Sequence, residues 1–108
     1  MEHIIKINGR EISLSWTQEV AKRFAFRLAT TGGMPKSKEL TTPSTAPAAI
    51  AKIVWALLPK ADHARYESPE DLFVDIDQAT EGLAIAEAVS AIFSDMAPDA
   101  EKKRSLTK

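Results

Sequence analysis

The stretch His3-Ile4-Ile5-Lys6-Ile7-Asn8-Gly9-Arg10-Glu11-Ile12-Ser13-Leu14-Ser15-Trp16 decides how this chain begins to fold. Asn8-Gly9 is the strongest short hairpin signal, because both central positions of a type I′ turn need positive φ. A two-residue turn there pairs Ile7 with Arg10, Ile5 with Ile12 and His3 with Leu14. Ile5, Ile7, Ile12 and Leu14 then share one face of the ribbon. Lys6 and Glu11 meet on the other face as opposite charges. Turn chemistry and apolar pattern therefore agree on a β-hairpin over 3–16.

Helical periodicity takes over immediately afterwards. From Thr17 to Thr31, Val20, Ala21, Phe24, Ala25 and Leu28 form one apolar stripe, with Lys22, Arg23 and Arg27 largely off it. Ser15 or Thr17 can cap the first turn, Glu19 suits the positive end of the helix dipole, and Gly32-Gly33 supplies a stop. Residues 32–46 hold Gly, Pro, Ser, Thr and Lys with almost no apolar anchors, and read as a mobile loop. A second helix is expected from Pro47 to Leu58, with Ile50, Ile53, Val54, Leu57 and Leu58 inward and Trp55 at the stripe's edge. Pro59 ends it by restricting Leu58. Ser68-Pro69-Glu70-Asp71 opens a third helix with a cap, a proline in the tolerated first position and acids in the first turn. Its Leu72, Phe73 and Ile76 face inward, and Glu70, Asp71, Asp75, Asp77 and Gln78 outward. A fourth helix, Thr80 to Met96, carries the stripe Ile85, Val89, Ile92, Phe93 and Met96, with small Ala84, Ala86, Ala88 and Ala91 that permit close helix approach. The expected fold is α+β, mostly α: an N-terminal β-hairpin followed by about four helices in a small bundle. It forms a single globular domain over 1–98, with a flexible charged tail at 99–108.

Bulk composition agrees with that size. The chain has 108 residues, 44% hydrophobic and 27% charged, which is ordinary for one globular domain. There is no cysteine, which excludes a disulfide framework and Cys-based zinc sites. The opening residues, with an acid near the front and a short apolar run, are not expected to act as a signal peptide, and no stretch approaches the roughly 18 apolar residues that span a bilayer. Net charge is only -1 but unevenly spread. Residues 1–60 carry nine Lys/Arg against four Asp/Glu, whereas 61–100 carry one Arg against ten Asp/Glu. Either the two halves fold against each other and neutralise, or the second half offers an acidic surface to a basic partner or a neighbouring copy.

No constellation of reactive groups stands out. His3 and His63 have no partner at metal-ligand spacing, and His63 reads as a surface-loop residue. Asp71 and Asp75 stand at i, i+4, as paired carboxylates for acid–base work could, but a solvated helix face accounts for them. Gly32-Gly33 follows a helix rather than a strand and lacks the Gly-Lys-Ser/Thr of a phosphate loop. Phe26 among Lys22, Arg23 and Arg27 is too little for a nucleic-acid site in a domain of near-zero net charge. No catalytic, cofactor-binding or metal-binding residue is assigned. The expectation is a non-enzymatic protein-binding domain.

The order of elements carries a resemblance. The turn Ile7-Asn8-Gly9-Arg10-Glu11-Ile12, the link Leu14-Ser15-Trp16-Thr17, the apolar Ile53-Val54-Trp55-Ala56-Leu57-Leu58 and the stretch Ser68-Pro69-Glu70-Asp71-Leu72-Phe73-Val74-Asp75-Ile76-Asp77 resemble the small tail assembly chaperones of long-tailed bacteriophages and prophages. The resemblance covers roughly residues 3–96; the long polar loop at 32–46 departs from it. It implies a protein of the bacterial host's cytoplasm that binds the tape-measure protein while tail-tube subunits, a further partner, polymerise around it. It leaves self-association open and supplies no active-site residues. A structural tail or head–tail connector component is the alternative, and a small nucleic-acid-binding regulator the third. The outer face of the third helix, Glu70, Asp71, Val74, Asp75 and Gln78, is the expected partner-binding surface, because clustered acids surround an apolar Val74 there. No cofactor and no membrane are expected to take part.

Overall fold

A computed structural model describes residues 2–96; the charged tail expected at 99–108 lies outside the described residues. Strands β1 (Glu2–Ile7) and β2 (Arg10–Ser15) form an antiparallel hairpin with the expected register: Ile7 opposite Arg10, Ile5 opposite Ile12, Lys6 opposite Glu11. Asn8 and Gly9 take φ of 53° and 80°, as a type I′ turn requires. Ile5, Ile7, Ile12 and Leu14 are all buried on one face, while Ile4 stands exposed on the other.

Six helices follow. Helix α1 (Gln18–Ala29) starts where Thr17 Oγ1 accepts from the Val20 amide at 3.2 Å. It is stitched on its outer side by an ion pair between Glu19 and Arg23, and it buries Phe24 and Leu28. Trp16 packs edge-on against Phe24, tying the end of the hairpin to α1. The chain leaves α1 through Gly32 and Gly33, both at positive φ, with the Gly33 amide returning to the Leu28 carbonyl at 2.7 Å.

Helix α2 (Ser37–Thr41) occupies part of the segment expected to be a loop. Its reason is local hydrogen bonding that composition alone hides. The Lys36 amide donates to the Glu39 carboxylate, and the hydroxyls of Thr42 and Thr45 donate to the carbonyls of Lys38 and Glu39 at 2.7 and 2.8 Å. Leu40 then packs against the core.

Helix α3 (Ala46–Leu57) is the centre of the molecule. It packs against α1, α2, α5 and α6, and its second half is buried all round. Trp55, expected at the stripe's edge, is only 5% exposed because a further short helix, α4 (Lys60–His63), and Tyr66 close over it. The indole Nε1 donates to the Tyr66 carbonyl at 3.0 Å. Leu58, before Pro59, turns extended and ends α3. Arg27 of α1 reaches this end and donates to the carbonyls of Ala56 and Leu58, at 3.1 and 2.6 Å. Arg27 is thus part of the α1–α3 contact rather than a solvated charge.

Helix α5 (Pro69–Asp75) is capped by Ser68, whose Oγ accepts from the Asp71 amide at 3.3 Å. Helix α6 (Gly82–Met96) begins two residues after the expected Thr80, because 77–81 make turns: the Thr80 and Glu81 amides both donate to the Asp77 carbonyl. Ile85, Val89 and Ile92 are buried beneath the hairpin and α3. Of the ten residues the periodicity marks most clearly as core, Phe73 and Phe93 are only half-buried; Ile5, Ile12, Phe24, Leu28, Ile53, Leu57, Ile76 and Val89 are buried.

Ile53 is fully buried at the middle of α3. Shortening it to alanine leaves a cavity that several helices cannot all collapse into. Ile53→Ala is expected to lower unfolding stability by about 2–5 kcal/mol in urea titration followed by circular dichroism. A loss below about 1 kcal/mol would show that α3 is not the centre of the core.

Candidate functional site

Two surfaces of this fold bring side chains together in ways that bear on function, and a carboxylate between them holds the geometry. Glu81 is 9% exposed and sits just ahead of α6. Its Oε1 accepts from the Asn8 amide at 2.8 Å and the Asp77 amide at 3.1 Å; its Oε2 accepts from the Gly9 amide at 2.9 Å. The hairpin tip is thereby locked to the start of α6. The Gly9 amide holds the Glu81 carboxyl below its ordinary range against an opposing effect of burial, and the Asp77 and Asn8 amides and the charge of Lys6 act in the same direction as Gly9.

The first surface lies beside this lock. Asp75 accepts from the Asn8 side chain at 3.0 Å, from the Tyr66 hydroxyl at 2.5 Å and from Arg10 at 3.2 Å, and Arg10 also donates to the Tyr66 hydroxyl. Burial, followed by the hydrogen bond to Asp75 and its charge, pushes the Tyr66 phenol up to about 12, so it stays a donor at neutral pH. Arg10, Arg65, Tyr66, Asp71, Val74 and Asp75 line an open cleft here of about 340 Å³.

The expected partner-binding residues divide in this structure. Glu70, Asp71 and Val74 are exposed on α5, Val74 at 76%. Asp75 does not belong to a solvated outer face, because it turns into the network with Tyr66 and Arg10. Gln78 lies past the end of α5 and borders a different surface. His63 also differs from its expectation: it ends α4, its ring lies 4.4 Å from Trp55, and its Nε2 is buried without a hydrogen-bond partner. Burial and the nearby Arg27 push its pKa down, which keeps it neutral at pH 7. His3 pairs with Asp95 at 3.0 Å. Among the described residues no three His, Cys, Asp or Glu side chains gather as a metal site would require, and no helix is long and apolar enough to cross a membrane.

The second surface was invisible in the sequence. An apolar groove runs between residues of α3 and α6. One depression, about 230 Å³, is lined by Pro47, Ile50, Gln78, Leu83, Ile85 and neighbours; the other, about 330 Å³, by Leu40, Ile50, Val89, Ser90 and Phe93, with Ala86. They meet at Ile50 and Ala86, and no charged side chain lines either. Leu83 is 75% exposed at its rim. The second depression depends on α2, which brings Leu40 to its far wall.

Comparison with protein-family models, with curated proteins and with solved structures finds no match for this chain.

The Glu81 lock has a pH signature. Its folded-state pKa is depressed, so its stabilising contribution is present above the ordinary value of 4.5 and is lost as pH falls through the lower folded value. Glu81→Gln is expected to cost about 1–3 kcal/mol at pH 7, since it weakens three bonds to backbone amides. It should also flatten the loss of stability on acidification below pH 4.5. Parallel pH–stability curves for parent and variant would refute the lock.

Proposed function

We propose that this protein is a non-enzymatic binding domain of the tail-assembly-chaperone kind, acting in the bacterial cytoplasm, which covers apolar helical segments of a tape-measure protein until tail-tube subunits replace it. The observation that carries the proposal is the uncharged groove between α3 and α6, open to solvent. Concave, mostly apolar surface is where binding sites are ordinarily found. Its shape suits the apolar stripe of an amphipathic helix laid along α6, the common way in which a helix is recognised by a groove.

The pattern resemblance to tail assembly chaperones and this groove are independent supports. The acids of α5 contribute on a second edge. Glu70 and Asp71 are free to steer a basic segment, while most affinity comes from apolar contact.

Leu83→Lys places a charge at the groove's rim on a side chain already exposed, so folding should be unaffected. Co-expression of the tape-measure protein encoded in the same gene cluster is expected to yield soluble complex with the parent chain and several-fold less with Leu83→Lys. Equal recovery with both would remove the groove from the proposal, and no complex with the parent would remove the function.

A further inference from the structure

Charge around the groove specifies its occupant more closely than its apolar lining does. From Tyr66 to Met96 the chain contains no Lys or Arg, although that stretch includes all of α5 and α6. Its acids fall into two sets. Asp75, Glu81 and Asp95 are engaged inside the fold, by Arg10 and Tyr66, by backbone amides and by His3. Glu67, Glu70, Asp71, Asp77 and Glu87 are exposed and make no salt bridge among the described residues.

Glu87 is placed to matter. Leu83, Glu87 and Ser90 follow one another at i, i+4 and i+7 on α6, and Leu83 and Ser90 each line one of the two depressions. Glu87 therefore stands on the same edge of α6, between them along the helix axis, flanking the groove without lining either depression. Asp77 precedes the same wall, one residue before the Gln78 that borders it. The opposite wall differs: α2 brings exposed Lys38 and Glu39 beside Leu40, so it has no single sign.

We infer that the groove selects a basic amphipathic helix, with two apolar anchors one to two turns apart and Lys or Arg along the flank that faces α6. The anchor spacing follows from the depressions themselves, one centred near Ala84 and the other near Val89 along α6, roughly 8 Å apart at the rise of an α-helix. The apolar anchors supply affinity. The acidic wall sets which helices enter and discriminates against acidic ones by like-charge repulsion. This inference rests on the groove reading above and adds the sign of the partner.

The test uses two model peptides and the whole chain. Both peptides are helical, with leucine at i, i+4 and i+7; one carries lysine on both flanks and the other glutamate at the same positions. Binding is followed by fluorescence anisotropy at low and moderate salt. The lysine peptide is expected to bind at least about threefold tighter at low salt, a margin that narrows as salt screens it. Glu87→Lys is expected to reduce or reverse the preference, and Leu83→Lys to weaken both peptides. Equal binding of both peptides, unchanged by Glu87→Lys, would overturn the charge selection and leave the groove standing. Binding of neither would overturn the groove itself. Circular dichroism of each variant checks that it folds.

Discussion

The carboxylate of Glu81 is the joint on which the arrangement depends. A two-stranded hairpin is marginal by itself and must be held against something. Here its turn is held by a single side chain from the opposite end of the sequence: two adjacent amides, Asn8 and Gly9, point at the two oxygens of one carboxylate. The type I′ turn makes this geometry available, because positive φ at both central residues aims successive N–H groups outward. The third bond, from the Asp77 amide, fixes Glu81 against its own turn, so hairpin tip, α5 exit and α6 entry move as one unit. At the far end of α6, His3 and Asp95 make the second attachment. With β1 tied at both ends along α6, Ile5 and Ile7 are held over Ile85, Val89 and Ile92.

That arrangement resolves part of the charge asymmetry between the two halves of the chain. Arg10 meets Asp75, His3 meets Asp95, and Lys6 lies close enough to Glu81 to favour its ionised form. The N-terminal hairpin is thus the internal counterpart of the acidic second half. Neutralisation is partial: Glu67, Glu70 and Asp71 remain exposed before and on α5, Asp77 in the turn that follows it and Glu87 on α6. Surface ion pairs contribute little to stability, so these unpaired acids cost the fold little and remain available to set the sign of what approaches.

Local signals carried the hairpin, the capped starts of α1 and α5, the stop at Pro59 and the inner stripes, because each depends on residues within about one turn of each other. What escaped depends on contacts across the fold. Glu81 reads as one more acid near a helix start; only the position of residues 8 and 9 makes it a buried anchor. Asp75 looks solvated from its i, i+4 spacing with Asp71, yet Tyr66, nine residues earlier, and Arg10 claim it. Trp55 and His63 read as edge and loop because nothing local reveals α4 folding back over the end of α3. Helix α2 was hidden by composition, since Thr41, Thr42 and Thr45 close its carbonyls by side-chain bonds that a polar, loop-like composition does not reveal. Among the expected surface residues, Glu70, Asp71 and Val74 were placed correctly as exposed, whereas the groove needed α2, α3 and α6 together.

The shape of α3 explains why a groove exists at all. Its C-terminal half, Ile53 to Leu57, carries large residues and is enclosed on every side. Its N-terminal half, Ala46-Pro47-Ala48-Ala49-Ile50-Ala51, offers one large side chain among small ones. Helices packed on such a rod are close where it is bulky and leave a trough where it is thin. On α6 the position shared by both depressions is small as well, Ala86, with Leu83 and Ile85 before it and Val89 and Phe93 after it. Ile50 and Ala86, where the two depressions meet, then set the depth. Enlarging Ala86 to leucine should fill the trough and exclude a partner helix while leaving stability within about 1 kcal/mol, because the added group enters open space rather than packed core. A thermal melt with peptide binding in parallel would separate those effects, and loss of both together would place Ala86 in the core instead of at the interface.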